Sequence, residues 1–232
     1  MTRITNKRKI AFEKYDVDKT YSLKKASEII KEISFCNFDT SVDLDIRLGV
    51  DPKNADQMVR GVVGLPHGTG KDLKILVLCS PEKEKEAKNS GADFVGFEKF
   101  IKKIEKGWLD FDIMITQPSL MSDVGKLGKF LGPRGLMPNP KSGTVTDDLS
   151  KAIDEVKAGK IDFKVDKNGI IHASIGKVSF DSIKIEENAV KLIDSVIKLK
   201  PSTTKGNYFK SISISSTMSS AVKIDKTSIS DL

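Results

Sequence analysis

The stretch LKILVLCSPEKEKEAKNSGADFVGFEKFIKKIEKGWLDFDIMIT, residues 73–116, decides the fold. Leu73 to Cys79 is an apolar run of strand length, and Pro81 to Ser90 reads as a helix stopped by Gly91. Ala92 to Val95 is a strand again, Phe97 to Lys106 a helix closed by Gly107, and Phe111 to Thr116 another buried strand. Apolar strands that alternate with helices imply crossover connections and a parallel sheet covered on both faces. Leu149 to Ala158, capped by Asp147 or Asp148, adds a last helix before Gly159.

The flanks follow a different period. Ser22 caps a predicted helix to about Ser34, with Leu23, Ala26, Ile29, Ile30 and Ile33 at helical spacing. Thr40 to Val50 then alternates, Val42, Leu44, Ile46 and Leu48 on one face and Ser41, Asp43, Asp45 and Arg47 on the other, which is a half-buried strand. Met58 to Val63 is a second strand. Beyond Gly159, Ile161 to Val165 and Ile170 to Ile175 are joined by Asp166-Lys167-Asn168-Gly169, a hairpin signal. Asn188 to Leu199 is an amphipathic helix, Phe209 to Ser215 alternates Ile212 and Ile214 with Ser211, Ser213 and Ser215, and Val222 to Ile224 is its pairing partner. Neither flank closes a core alone. The expected architecture is therefore two-domain: a discontinuous α+β outer domain, 1–66 plus 160–232, with an inserted three-layer α/β domain of Rossmann-like type, 67–159. Linkers at Leu65 to Gly70 and Ala158 to Lys160 would permit a hinge.

The net charge is +7, and the two flanks hold six of the seven excess positive charges. A polyanion that meets the outer domain is the partner this suggests. No apolar run has membrane-spanning length, so no membrane partner and a cytoplasmic location are expected. Cys36 and Cys79 lie far apart in apolar surroundings and read as buried free thiols. His67 and His172 are the only histidines and assemble no metal site, and no cofactor is expected.

Residues 125–143, GKLGKFLGPRGLMPNPKSG, combine five glycines, three prolines and the bases Lys126, Lys129, Arg134 and Lys141 with no acid. Such a segment reads as a loop of defined shape whose charge suits phosphate. A nucleotide-using enzyme is the competing possibility for the inserted domain. The nearest phosphate motif, GLPHGTGKD from Gly64, is one residue too long, carries Asp72 where a hydroxyl would hold magnesium, and precedes a strand instead of opening a helix. No nucleophile elbow or metal-binding histidine pair supports an enzyme.

The Pro-Arg-Gly-Leu and Met-Pro-Asn-Pro order of 125–143 resembles the signature of the stalk-protein family of the large ribosomal subunit, the first in the large-subunit numbering. FDTSVDLDIRLGVDP, GLPHGTGK, GADFVG, GWLDFDIMI and IHASIGK extend the likeness over nearly the whole chain, in order. The resemblance implies the two-domain layout, a protein monomeric within the ribosome at the base of the mobile stalk near the tRNA exit site, and large-subunit ribosomal RNA as partner. It also implies exit-site tRNA and the protein's own messenger RNA as partners, the latter through translational repression. The RNA-contact positions it implies are Phe38, Thr40, Lys164, Asp166, Lys167, His172, Ser211, Ser213, Ser215, Thr217 and Met218. Lys126, Lys129, Arg134 and Lys141 form a secondary or interdomain loop. The chain departs from the family's Thr-Met-Gly-Pro after Met218, where it reads Ser219-Ser220-Ala221. If the missing glycine marks a positive φ, Ser219 is strained and Ser219→Gly should stabilise the turn or tighten binding.

Overall fold

The computed structural model describes residues 5–204 and 206–226. Residues 1–4, 205 and 227–232, assigned from the sequence to the outer domain, lie outside the described residues. The elements run α1 (Asn6–Lys14), β1 (Thr20–Tyr21), α2 (Leu23–Ile33), β2 (Ser41–Leu48), β3 (Arg60–Gly64), β4 (Ile75–Leu78), α3 (Glu84–Asn89), β5 (Phe94–Val95) and α4 (Glu98–Glu105). They continue with β6 (Ile113–Thr116), α5 (Met121–Lys126), α6 (Gly128–Leu131), α7 (Leu149–Lys157), β7 (Lys160–Lys164), β8 (Ile170–Lys177), α8 (Ser182–Lys198), β9 (Phe209–Ser216) and β10 (Val222–Ile224). The chain divides into two compact units, one of residues up to Gly70 with those from Ile161 onward, the other Lys71–Lys160.

The first unit is a five-stranded sheet of order β1-β10-β9-β2-β8 with helices on one face. β2 is its centre and pairs antiparallel with both β8 and β9. Period-two alternation sends Val42, Leu44, Ile46 and Leu48 inward, where they meet Ala26, Ile30 and Ile33 of α2 and Ile185, Ala189, Leu192, Ile193 and Val196 of α8. Each such side chain contributes about 1.5–3 kcal/mol on burial. The residues joining β7 to β8 do form the expected turn, with Gly169 at φ 78 and Asp166 N–H donating to the Ile170 carbonyl. The strands then part, because β7 pairs with β3 in a separate ribbon while β8 joins the large sheet.

α8 begins at Ser182, six residues before the predicted start, and Asn188 is fully buried within it. An asparagine reads as a helix start, yet here it is a tie. Its Nδ2 donates to the carbonyls of Gly68 (3.0 Å) and Ile175 (2.7 Å), and its Oδ1 accepts from His67 N–H at 3.2 Å. Without it the buried Ile175 carbonyl and the half-buried Gly68 carbonyl and His67 N–H would each lose a partner.

In the second unit β4 lies between β5 and β6, all parallel. Every residue of β4 is buried, and successive ones go to opposite faces. Ile75 and Val77 pack under α3 and α7 with Ala87, Ile153 and Val156, while Leu76 and Leu78 pack under α4 to α6 with Phe100, Ile104, Val124 and Leu131. Helices cover both faces of a parallel sheet, the mixed α/β arrangement that the strand–helix alternation called for. The 125–143 segment differs from expectation in its first half, which is helical through α5 and α6 and not a loop. Val124, Leu127 and Leu131, at helical spacing and buried, outweigh the poor propensity of the glycines between them.

Candidate nucleic-acid interface

The face of the large sheet turned away from α2 and α8 is open, and the strand register fixes what it shows. Across β9, β2 and β8 the rows are Ser215–Asp43–Ser174, Ser213–Asp45–His172 and Ser211–Arg47–Ile170. β10 adds Lys223 beside Ser213. Ser211, Arg47, His172 and Lys223 are exposed, and Ser213, Ser215, Asp43 and Asp45 half-buried. His172 Nδ1 lies 2.6 Å from Asp45 Oδ1, so the histidine is tied to the central strand. Ser174 Oγ is buried and has no partner among the described residues. The three serines share one strand face as expected, and the register adds His172 to it. Asp43, Asp45 and Arg47 occupy its centre, as the strict alternation of 41–47 implies.

One end of this face carries the apolar groups. Phe38 is 60% exposed and Met218 73% exposed, values that no core role explains. Thr217, also exposed, donates its N–H to the Ser41 carbonyl at 3.2 Å and accepts from Cys36 Sγ at 3.6 Å, which brings the turn after β9 to the connector that holds Phe38. Cys36 is accordingly half-buried, not buried as expected, whereas Cys79 is fully buried and its thiol is pushed up to about 11 by desolvation.

Two expectations fail at this end. Thr40 is 1% exposed, so it is no contact residue. Its Oγ1 pairs with Ser34 Oγ at 3.3 Å and its carbonyl accepts from Val178 N–H at 2.9 Å, so it anchors the connector. The positive φ belongs to Met218, at 68°, and not to Ser219. Ser219 builds the turn instead. Its Oγ accepts from Ser216 N–H at 3.1 Å and Ser216 Oγ at 2.9 Å, and its N–H donates to the Ser216 carbonyl at 2.9 Å. A short polar residue is needed where a glycine seemed to be missing.

The remaining predicted contacts lie elsewhere. Asp166 and Lys167 sit in the turn beside Leu48, at the other end of β2, about 23 Å from Ser41 by strand rise. Asp166 Oδ1 accepts from the N–H groups of Ile170 (2.9 Å) and Asn168 (2.8 Å), and these bonds, Ile170's first, hold its carboxyl below the usual range. It shapes the turn that displays Lys167. Lys164 is exposed on β7, outside the large sheet.

In the second unit Lys126, Lys129, Arg134 and Lys141 are all exposed, together with Phe130 at 41%. Lys126 is held by Asp123 at 2.7 Å, which raises its pKa. Gly125, Gly128 and Gly132 have negative φ and open space where a Cβ would stand, so neither backbone strain nor packing within the chain accounts for them. The order β5-β4-β6 puts a switch point between β4 and β6, where open α/β sheets bind nucleotides. Here the chain fills it: the buried Gln117 accepts from Ser80 N–H at 2.8 Å, and Thr116 bridges to Val145 in parallel. Among the described residues no cluster of His, Cys, Asp and Glu could hold a metal ion, and no helix is long and apolar enough to cross a membrane.

The model of the Ribosomal protein L1p/L10e family matches residues 24–220. The chain is 58% identical over 231 residues to a protein of Porphyromonas gingivalis named "Large ribosomal subunit protein uL1", with all of both chains covered. A protein of Bacteroides thetaiotaomicron with the same name is 58% identical over 232 residues, again in full. One of Flavobacterium psychrophilum is 57% identical over 225 residues, covering 97% of this chain and 98% of its own. With that span and those identities, the chain belongs to the Ribosomal protein L1p/L10e family.

Proposed function

We propose that this protein is anchored in the large ribosomal subunit by ribosomal RNA lying along the open face of the first unit. Membership of its family makes it a structural protein of that subunit, in the cytoplasm, and not an enzyme. The observation that carries the RNA reading is the face itself: serine hydroxyls on a sheet whose other side is covered, ended by exposed Phe38 and Met218. RNA is met by hydroxyl contacts to ribose and phosphate and by stacking on unpaired bases, and this face offers both. Asp43 and Asp45 repel phosphate, so the RNA backbone follows the serines and Lys223 while base or ribose donors face the carboxylates.

In this reading the RNA-binding domain expected at 1–66 with 160–232 corresponds to the first unit, and the inserted domain expected at 67–159 to the second unit, Lys71–Lys160, whose basic segment makes a secondary contact through Lys129, Arg134 and Lys141. The family resemblance extends the same face to a like fold in the protein's own messenger, with repression of its translation, and to exit-site tRNA. Binding of a stalk fragment of large-subunit RNA tests the proposal. Thr217→Val should weaken it by roughly 1–3 kcal/mol by leaving an RNA group unpaired, and affinity should fall with salt by a log–log slope of roughly 0.7–0.9 per phosphate contact. Unchanged affinity in Thr217→Val together with a flat salt dependence would overturn it.

A further inference from the structure

We propose that Asp43 and Ser174 form a base-reading subsite for the Watson–Crick edge of one unpaired guanine, an assignment that rests on the RNA reading of the open face. The register sets Asp43 between Ser215 of β9 and Ser174 of β8, all three half-buried and on one side of the sheet. Directly opposed side chains start about 4.5–5.5 Å apart, so one planar ligand edge can span the row. Asp43 differs from the other acid of this face. Asp45 has His172, whereas Asp43 has no hydrogen bond or ion pair among the described residues. Of the lysines next to this row on the sheet, Lys177, opposite Ser41, donates to the Asp39 carbonyl at 3.3 Å, and Lys223 lies beside Ser213, one row further along.

A carboxylate that has lost part of its water and gained no donor is completed by a ligand with two N–H groups side by side. Among the four bases only guanine offers that. Its N1–H and N2 amine are adjacent on the Watson–Crick edge, while adenine and cytosine set one amine beside a ring acceptor and uracil holds its N3–H between two carbonyls. The O6 of the same edge then needs a donor. Ser174 supplies it, because its Oγ is buried without a partner among the described residues and a turn about χ1 carries it to the exposed part of this half-buried side chain. The Asp43 charge repels phosphate at the same spot, which leaves base edges rather than the RNA backbone as ligands. The row lies two residues along β2 from Ser41, about 7 Å by strand rise, and the Ser41 carbonyl holds Thr217. The subsite therefore adjoins the Phe38 and Met218 end, where a base can stack.

Stalk RNA with phosphorothioate inosine sparsely replacing guanosine is bound to the full chain, and iodine cleavage of the retained fraction locates each guanosine whose N2 amine matters. The unchanged protein is expected to show interference at an unpaired guanosine. Asp43→Ala should weaken RNA binding about tenfold and erase that signal, and the isosteric Asp43→Asn, which keeps a single acceptor, should erase it too. Ser174→Ala should weaken binding about threefold and leave the inosine signal in place, since Ser174 faces O6 and not the amine. A residue that merely shaped β2 would change affinity without moving the signal of one guanosine. The assignment is overturned if no interference appears, if it persists in both Asp43 variants, or if Asp43→Ala tightens binding, the mark of a carboxylate that only repels phosphate. Thr217→Val separates the two readings. Weakened binding in that variant with no guanosine coupled to Asp43 leaves the RNA face standing and sinks the subsite alone, whereas a chain that binds no stalk RNA sinks both.

Discussion

The two sheets differ in what they leave uncovered. The five-stranded sheet of the first unit is antiparallel about β2 and has helices on one side, so its other side is a surface of hydroxyls and charges. The three-stranded sheet of the second unit is parallel and buried on both sides, and the crevice at its switch point is filled by Gln117 and the Thr116–Val145 bridge. The lesson is that binding in the first unit can use a broad, rigid face, whereas the second has only helix ends and loops to offer. A face built on a sheet fixes many groups at once, and a loop fixes few.

The sharpest way to break this comparison is through the tie at Asn188. Asn188→Leu strands the Gly68 and Ile175 carbonyls and the His67 N–H, and should cost the first unit roughly 2–4 kcal/mol. Hydrogen exchange should then quicken in β2, β8 and β9 and stay unchanged in β4 and β6. Equal loss in both would show a single cooperative structure.

Next in size is Ser213→Glu, which sets a carboxylate beside Asp45 at the centre of the face. RNA affinity should fall by about 2–3 kcal/mol with thermal stability nearly kept. Phe38→Ala, at the end of the same face, should cost about 1–3 kcal/mol of binding if a base stacks there. Should the triple change of Lys129, Arg134 and Lys141 to alanine outweigh both, the main contact would belong to the second unit. Ser219→Gly removes a hydroxyl with three turn hydrogen bonds and should lower stability by about 1 kcal/mol, measured by urea unfolding.

Smallest are two effects that compare the units directly. Gly128→Ala should stabilise the second unit by roughly 0.5–1 kcal/mol, because α6 gains a better helix former in open space. The Asp166 turn works the other way round, through protons. Its folded carboxyl titrates below the unfolded one, so its stabilisation is present above the ordinary carboxylate range and is lost as pH falls through the lowered value. Chemical shifts of the Ile170 amide, followed down that range, should report the release, and Asp166→Asn should abolish the pH dependence.

How much of this was legible follows from the kind of signal. Alternation at 40–50 and 209–215 gave β2, β9 and the facing of Ser211, Ser213 and Ser215, since period two admits one assignment when one side is apolar. The strand and helix order of the second unit was legible for another reason, because short apolar runs alternate there with helical segments that end at glycines. What failed depended on partners distant in sequence. Thr40 looks like one more polar residue of the strand, and only the closeness of Ser34 and Val178 buries it. Asn188 resembles a cap until Gly68 and Ile175 are brought to it. Glycines in 125–132 suggest a loop, whereas the row Val124, Leu127 and Leu131 becomes a helical signal only once its burial is known. At Ser219 the departure from the family's glycine pointed to strain one residue away from where the positive φ lies.

The pairing of β2 with β8 and β9 also sets a timetable for synthesis. β2 ends at Leu48, and β8 does not begin until Ile170. At about 5–20 residues per second, a ribosome takes roughly 6–25 s to make the stretch between them. Throughout that interval the nascent β2 has neither neighbour, and Val42, Leu44, Ile46 and Leu48 have no β8 or β9 to meet. The second unit, whose elements all lie within Lys71–Lys160, can fold during the wait. The first unit can close only once β8, β9 and β10 have been made, so its open serine face forms after the second unit has folded.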